Sequence, residues 1–197
     1  MTPQIQECID YFKHICLDDL NARCWVAGGA LREFFTVGNA TRSDVDIFFP
    51  DETEFLLAKK HLIEGKAKQT FENERITNLI HKKHKVQLIR TKYFPSPGAT
   101  ILAFDFTVAC AAVDQNDVYH HPTFFMDLAK RRLVINSLPY PLSTLQRMQR
   151  YIQKGYTICN GGLLQIAKAI KGIDFEKPEE NPIEFYPDQT PKFVRYD

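Results

Sequence analysis

Long apolar runs are missing from this sequence, and so is any strong excess of one charge. Its opening stretch, MTPQIQECIDYFKHICLDDL, mixes charged and apolar residues at helical spacing and holds no continuous apolar core. Neither a secretory leader nor a membrane span is expected from that pattern, and the cytoplasm is the expected compartment. Lysine and arginine number 25 against 24 aspartates and glutamates, a formal charge of +1. No global basic field marks a nucleic-acid binder, although a local patch is compatible with one. Metal-binding cysteine pairs are absent too: Cys8, Cys16, Cys24, Cys110 and Cys159 are far apart, with no CxxC and no zinc-like grouping with histidine. They read as buried free thiols behaving as small hydrophobes in a reducing compartment. No internal repeat and no low-complexity block interrupts the 197 residues, enough for one domain with a small appendage.

What is present is a clear alternation of periods. Ile5, Cys8, Ile9, Phe12, Ile15 and Cys16 recur at three- and four-residue steps, which predicts a helix over 4–20. RCWVAGG reads as a short buried strand ending in a turn, ALREFFTV as a helix and SDVDIFF as a second strand. Residues 52–64 form an amphipathic helix with acids early and lysines late. KQTFENE, RITNLIH, HKVQLIRT and FDFTVACAAV are β-rich runs interrupted by FPSPG, and HKKHK at 81–85 is the tip of a hairpin. Helices are expected again over 122–130, 141–154 and 161–171. The fold class is therefore α+β: a small mixed sheet flanked by helices over 1–138, a helical extension over 139–172, and a Pro-rich tail over 173–197 that wraps the surface or is flexible, and that is a candidate to dock a protein partner.

Two aspartates stand one residue apart in SDVDIFF. Successive strand residues point to opposite faces, so Asp44 and Asp46 share a face while Val45 turns into the core. Carboxylates held that close repel and favour protonation unless a cation lies between them, and hard oxygen donors suit Mg²⁺ or Mn²⁺. Taken alone, the pair also reads as a polar strand end. Upstream, Gly28 and Gly29 follow a strand and open a helix, where a phosphate can approach bare backbone N–H groups; a plain tight turn has the same appearance. Arg32, one turn on, would face the same anion, or lie idle on the surface. His81, His84, His120 and His121 read as solvated or nucleic-acid-facing, and Phe124, Phe125, Tyr151 and Tyr156 as core.

In sequence order, VAGGALREFF…SDVDIFF resembles the head-domain signature of the tRNA nucleotidyltransferase and bacterial poly(A) polymerase group, within the DNA polymerase β-like nucleotidyltransferase superfamily. That pattern runs Gly-Gly-x-x-Arg and then Asp-x-Asp. FDFTVACAA is similar to the group's Arg-Arg-Asp-Phe-Thr-x-Asn-Ala segment, and DLAKRRLVIN…LQRMQRYIQKGY follows its passage into a neck helix. The likeness spans about residues 23–156. It implies a nucleotidyltransferase fold with Asp44 and Asp46 holding metal, Asp105 completing the site, and Gly28, Gly29, Arg32, Arg147 and Arg150 on the triphosphate. The implied substrates are an NTP and an acceptor hydroxyl, first of all an RNA 3′ end such as that of tRNA. A protein hydroxyl, or a nucleotide- or RNA-binding protein with weakened catalysis, are the alternatives. Ala103 and Phe104 replace the arginine pair, Ala109 replaces the asparagine, and no Glu-Asp-x-x-Arg element follows. Templated CCA synthesis, and the body and tail domains that grip tRNA, are accordingly not expected.

Overall fold

Seven strands, in the spatial order 68–72, 76–81, 84–89, 45–48, 25–27, 111–113 and 118–120, form one mixed sheet in the computed structural model, which describes residues 2–173. The expected tail lies outside the described residues apart from Ile173. The chain divides into two units, 1–137 and 138 onward, and the sheet belongs to the first.

In the first unit, α1 (Pro3–Ile15) begins on a proline and buries Cys8, Ile9, Phe12 and Ile15 on one stripe. It ends earlier than its periodicity suggests, because 17–19 wind into a 3₁₀ turn that buries Leu17 and then Leu20. β1 (Trp25–Ala27), α2 (Gly29–Val37) and β2 (Val45–Phe48) follow, then α3 (Glu52–Glu64), whose first turn is capped by the Asp51 carboxylate accepting from the Glu54 N–H. β3 (Lys68–Glu72), β4 (Ile76–His81) and β5 (His84–Ile89) complete one side of the sheet. Lys82 and Lys83, at φ 45° and 70°, make the two-residue turn that closes the expected hairpin.

Four further local readings change. FPSPG hides a helix, α4 (Pro97–Leu102), with Ser96 as its cap and Pro97 in its first turn. FDFTVACAAV is not one strand: Thr107–Ala109 is a 3₁₀ turn and only Ala111–Val113 (β6) joins the sheet. Val118–His120 (β7) is a seventh strand that the sequence did not announce, and α5 is shorter than expected, at Phe124–Ala129.

β1 pairs antiparallel with β2 and β6, while β2 pairs parallel with β5. One face of the sheet buries Val26, Val45, Ile47, Val86 and Leu88. On the other, Trp25, Ala27, Phe48 and Ala112 are covered by Phe94, Phe104 and Ile101 of α4, and the Trp25 indole donates to Thr100. A fully buried side chain of this size contributes roughly 1.5–3 kcal/mol, and this covered half fixes the carboxylate end of β2. Four cysteines are buried thiols as expected, while Cys159 is exposed. The second unit contains α6 (Pro141–Gln153) and α7 (Asn160–Lys171), with Tyr151 and Tyr156 edge to face at 5.4 Å.

Candidate active site

The register of β1 on β2 places Trp25 opposite Phe48 and Val26 opposite Ile47. One step further, Ala27 meets Asp46, so the chain leaves β1 through Gly28 and Gly29 beside the end of β2 that carries both aspartates. The order in which the motifs are written thus becomes proximity. Gly28 has φ 88° and ψ −127°, a region closed to residues with a Cβ, and this tight exit lets α2 start at once. Its N–H donates to the Ala111 carbonyl at 2.9 Å, and the Phe104 ring lies 3.7 Å from where a Gly28 methyl would be. Gly28 therefore turns the chain, and its N–H is engaged by the neighbouring strand in this structure. The first-turn N–H groups of α2, from Gly29 on, have no intrahelical acceptor and carry the positive end of the helix dipole. Arg32 sits in that turn but is buried rather than on the surface.

Asp44 is exposed and Asp46 half-buried, with Val45 fully buried between them. The two differ sharply in partners. Asp44 accepts from the Gln87 amide at 3.2 Å and lies 3.8 Å from the Lys85 ammonium. Asp46 Oδ1 is buried with no hydrogen-bond partner among the described residues. Burial first, and the Asp44 charge second, push the Asp46 carboxyl up to about 7. An orphaned carboxylate oxygen beside a second carboxylate is a donor set that a hard divalent cation satisfies, so the pair fits Mg²⁺ or Mn²⁺. Among the described residues no group of three or more histidine, cysteine and acidic side chains offers a larger metal site.

This raised acidity sets a pH dependence. Without metal the folded protein holds the Asp46 proton up to about pH 7, whereas the unfolded chain loses it near 3.8. The unfolded state then binds fewer protons, so stability falls as pH rises between those values and is flat above. The expected cost at pH 8 is about 2–4 kcal/mol, or roughly 4–16 °C in Tm. His84, held low by burial and by His81 and His14, works in the opposite direction. The readout is therefore the difference between wild type and Asp46→Asn in EDTA at pH 5 and pH 8 by thermal melting. Wild type loses more stability than the variant on going to pH 8, and Mg²⁺ restores it; parallel pH profiles would remove the assignment.

Asp105 is buried, and its carboxylate accepts from the Phe106 N–H at 3.0 Å while its carbonyl accepts from Asn136 N–H at 2.7 Å. Phe104 links it to the glycine turn, touching Phe48 at a ring distance of 5.8 Å. Behind it stands Asp127, fully buried, accepting from Thr107 at 2.7 Å, from Thr123 at 2.6 Å and from Arg132. Burial opposes its ionisation, but those three donors together hold its carboxyl below the usual range. Arg147 and Arg150 are exposed on α6 in the second unit, and their expected contact with a triphosphate rests on the resemblance alone. His81 is not solvated as expected: it is buried and bonded to Asp19 at 2.8 Å. Gln87 carries no motif, and only its in-register position beside Asp46 would have exposed it; Asp127 opens DLAKRRLVIN and Lys85 closes HKKHK, but neither stretch singles that residue out.

Residues 4–131 match the family model described as Gad2: Gabija anti-defense 2 family protein. The chain belongs to the Gabija anti-defense 2 family. A relative named Gabija anti-defense 2, from Bacillus phage SPbetaL7, is 28% identical over 158 residues, covering 79% of this chain and 39% of the relative. This Gabija anti-defense 2 family member thus spans about two-fifths of that protein. Among solved structures, a tRNA nucleotidyltransferase complexed with a primer tRNA and an incoming ATP analog aligns with a TM-score of 0.57 at 17% identity, over 81% of this chain and 49% of that one. The Bacillus stearothermophilus CCA-adding enzyme in complex with CTP aligns with a TM-score of 0.56 at 16% identity, over 91% and 48%. The nucleotidyltransferase-like fold is shared, and the motif resemblance reflects it; the family itself is the anti-defense one. No described helix is long and apolar enough to cross a membrane.

Proposed function

We propose that this anti-defense family member is a metal-dependent nucleotidyltransferase, moving a nucleotidyl group from an NTP to an acceptor hydroxyl. The observation that carries the reading is the buried Asp46 oxygen, unpartnered among the described residues, next to Asp44 at the glycine turn. Asp44 and Asp46 would hold Mg²⁺ or Mn²⁺. A divalent ion bound there supplies Lewis-acid polarisation of phosphoryl and hydroxyl oxygens. The first-turn N–H groups of α2, from Gly29, orient the triphosphate, with Arg32 in the same turn offsetting charge. Asp105, held rigidly by its own backbone and Asn136, lies against the nucleotide or its sugar. The acceptor oxygen bonds to the α-phosphorus as the bond to its bridging oxygen breaks; pyrophosphate leaves and the hydroxyl proton passes to water.

A second reading has its own support. Phe104 closes the cradle beside Gly28, Gly28 N–H is already used, and Lys85 and Gln87 occupy Asp44. Those features suit a nucleotide binder with weakened catalysis. Incubation with each α-labelled NTP, Mg²⁺ and either RNA or host protein extract decides between them. Label in a macromolecule, lost on adding EDTA, is the expected result. NTP binding without any labelled product supports the binder instead.

A further inference from the structure

Residues paired across strands put their side chains on the same face of a sheet. Asp46 is opposite Gln87, Gln87 opposite Asn78, and Asn78 opposite Phe71. One row therefore runs carboxylate, amide, amide, aromatic ring from β2 to the sheet edge. The neighbouring row holds Lys85, Ile80 and Lys68, with Lys85 beside Asp44. The cover of α4, Phe94 and Phe104 sits over Trp25, Ala27, Phe48 and Ala112, on the other half of this face. Over β5 and β4 lies a cavity of about 290 Å³ walled by Asp44, Thr70, Asn78, Ile80, Lys85 and Gln87. Phe71 is 50% exposed at its far end, and Lys68 and Lys85 are exposed along its flank. Asn78 Oδ1 is buried with no hydrogen-bond partner among the described residues.

We propose that this open half of the face is the acceptor track, and that the acceptor is a single-stranded nucleic acid whose 3′ end reaches Asp44 and Asp46. Each part answers a feature of such a strand. The Phe71 ring, about 14 Å from Asp46 at three strand spacings, stacks a base upstream of the reacting end. Lys68 and Lys85 offset backbone phosphates. The amides of Asn78 and Gln87 present donors and acceptors to a base edge or a ribose hydroxyl, and the orphaned Asn78 oxygen takes an N–H or O–H. A peptide acceptor added as an eighth strand fits less well. The β3 edge is broken by a bulge between Gln69 and Phe71, where Thr70 turns its hydroxyl onto the Asn78 carbonyl.

The direction of travel rests on the nucleotidyltransferase reading; the binding itself does not. The test uses the full chain, with a 5′-fluorescein ten-nucleotide single-stranded RNA and a DNA of the same sequence, followed by anisotropy in EDTA at several salt concentrations. Wild type binds, and its log affinity falls with log salt at a slope of about −0.7 per phosphate neutralised. Phe71→Ala weakens binding about 5- to 100-fold, and Lys68→Gln reduces the salt slope. Circular dichroism and Tm of both variants match wild type, since both side chains are exposed. RNA preferred over DNA shows that the 2′-hydroxyl is read, and equal binding supports a track that reads bases and phosphates only. An affinity unchanged within two-fold in the Phe71→Ala, Lys68→Gln double variant overturns the track, as does failure of both oligonucleotides to bind at low salt. Phe71-dependent RNA binding with no transfer product leaves the track standing while the enzyme falls. Transfer onto a protein, untouched by Phe71→Ala, keeps the enzyme and removes the track.

Discussion

Asp46→Asn lowers nucleotidyl transfer by about 10³-fold or more, and leaves the melting temperature at neutral pH at or above that of wild type. Both halves follow from one atom. Asp46 Oδ1 has no hydrogen-bond partner among the described residues and sits beside a second carboxylate, so as an anion it destabilises the metal-free fold. An amide of the same shape removes the charge without opening a cavity. It also removes the hard anionic donor that a divalent ion requires, and the Lewis-acid term disappears with it. Asp44→Asn is expected to damage transfer too, with no gain in stability, because Asp44 already has Gln87 and Lys85. Steady-state incorporation of labelled nucleotide, alongside thermal melting at pH 7.5, measures both quantities. An Asp46→Asn protein within ten-fold of wild-type activity would falsify the two-carboxylate mechanism.

The sequence exposes this pair because its signal is local. Period-two alternation around Val45 fixes the shared face of Asp44 and Asp46 without reference to any other strand. Helices α1 and α3 are legible for the same reason, from apolar spacing and, for α3, from acids early and lysines late. Whatever depends on partners distant in sequence is not legible. Gln87 and Asn78 are unremarkable in HKVQLI and RITNLI, and become neighbours of Asp46 only through the parallel pairing of β2 with β5 and the hairpin to β4. His81 reads as part of a solvated basic tip until Asp19, 62 residues away, is seen to take its ring nitrogen. FPSPG reads as a break since proline disfavours most structure, yet Ser96–Pro97 is also how a helix begins. FDFTVACAAV has the composition of a strand, but Asp105 and Thr107 bend it through hydrogen bonds that the alternation does not encode.

Asp127→Ala is the largest expected loss of stability, about 2–4 kcal/mol, or roughly 4–16 °C in Tm. The carboxylate is fully buried and gathers Thr107, Thr123 and Arg132. Truncation leaves two hydroxyls without their acceptor and the guanidinium without its counter-charge. Arg132 keeps about 39% of its side chain exposed, so it re-solvates in part, and the loss stays below that of a fully buried pair. Asp127→Asn separates the contributions: an amide oxygen still accepts from the two threonines, while the charge on Arg132 goes unanswered, so the loss is about half. The pH dependence has the opposite sign to that of Asp46. Because the folded carboxyl is held low, its contribution is fully present above about pH 4 and disappears as pH falls through the folded value. Thr107 begins the turn that follows Asp105, and losing its anchor loosens that carboxylate before the molecule melts. The expected signature is faster hydrogen exchange at Phe106–Cys110, at temperatures where the strand amides of β1 and β2 remain protected. Uniform loss of protection across the sheet would mean instead that Asp127 supports the whole core and has no separate hold on the Asp105 turn.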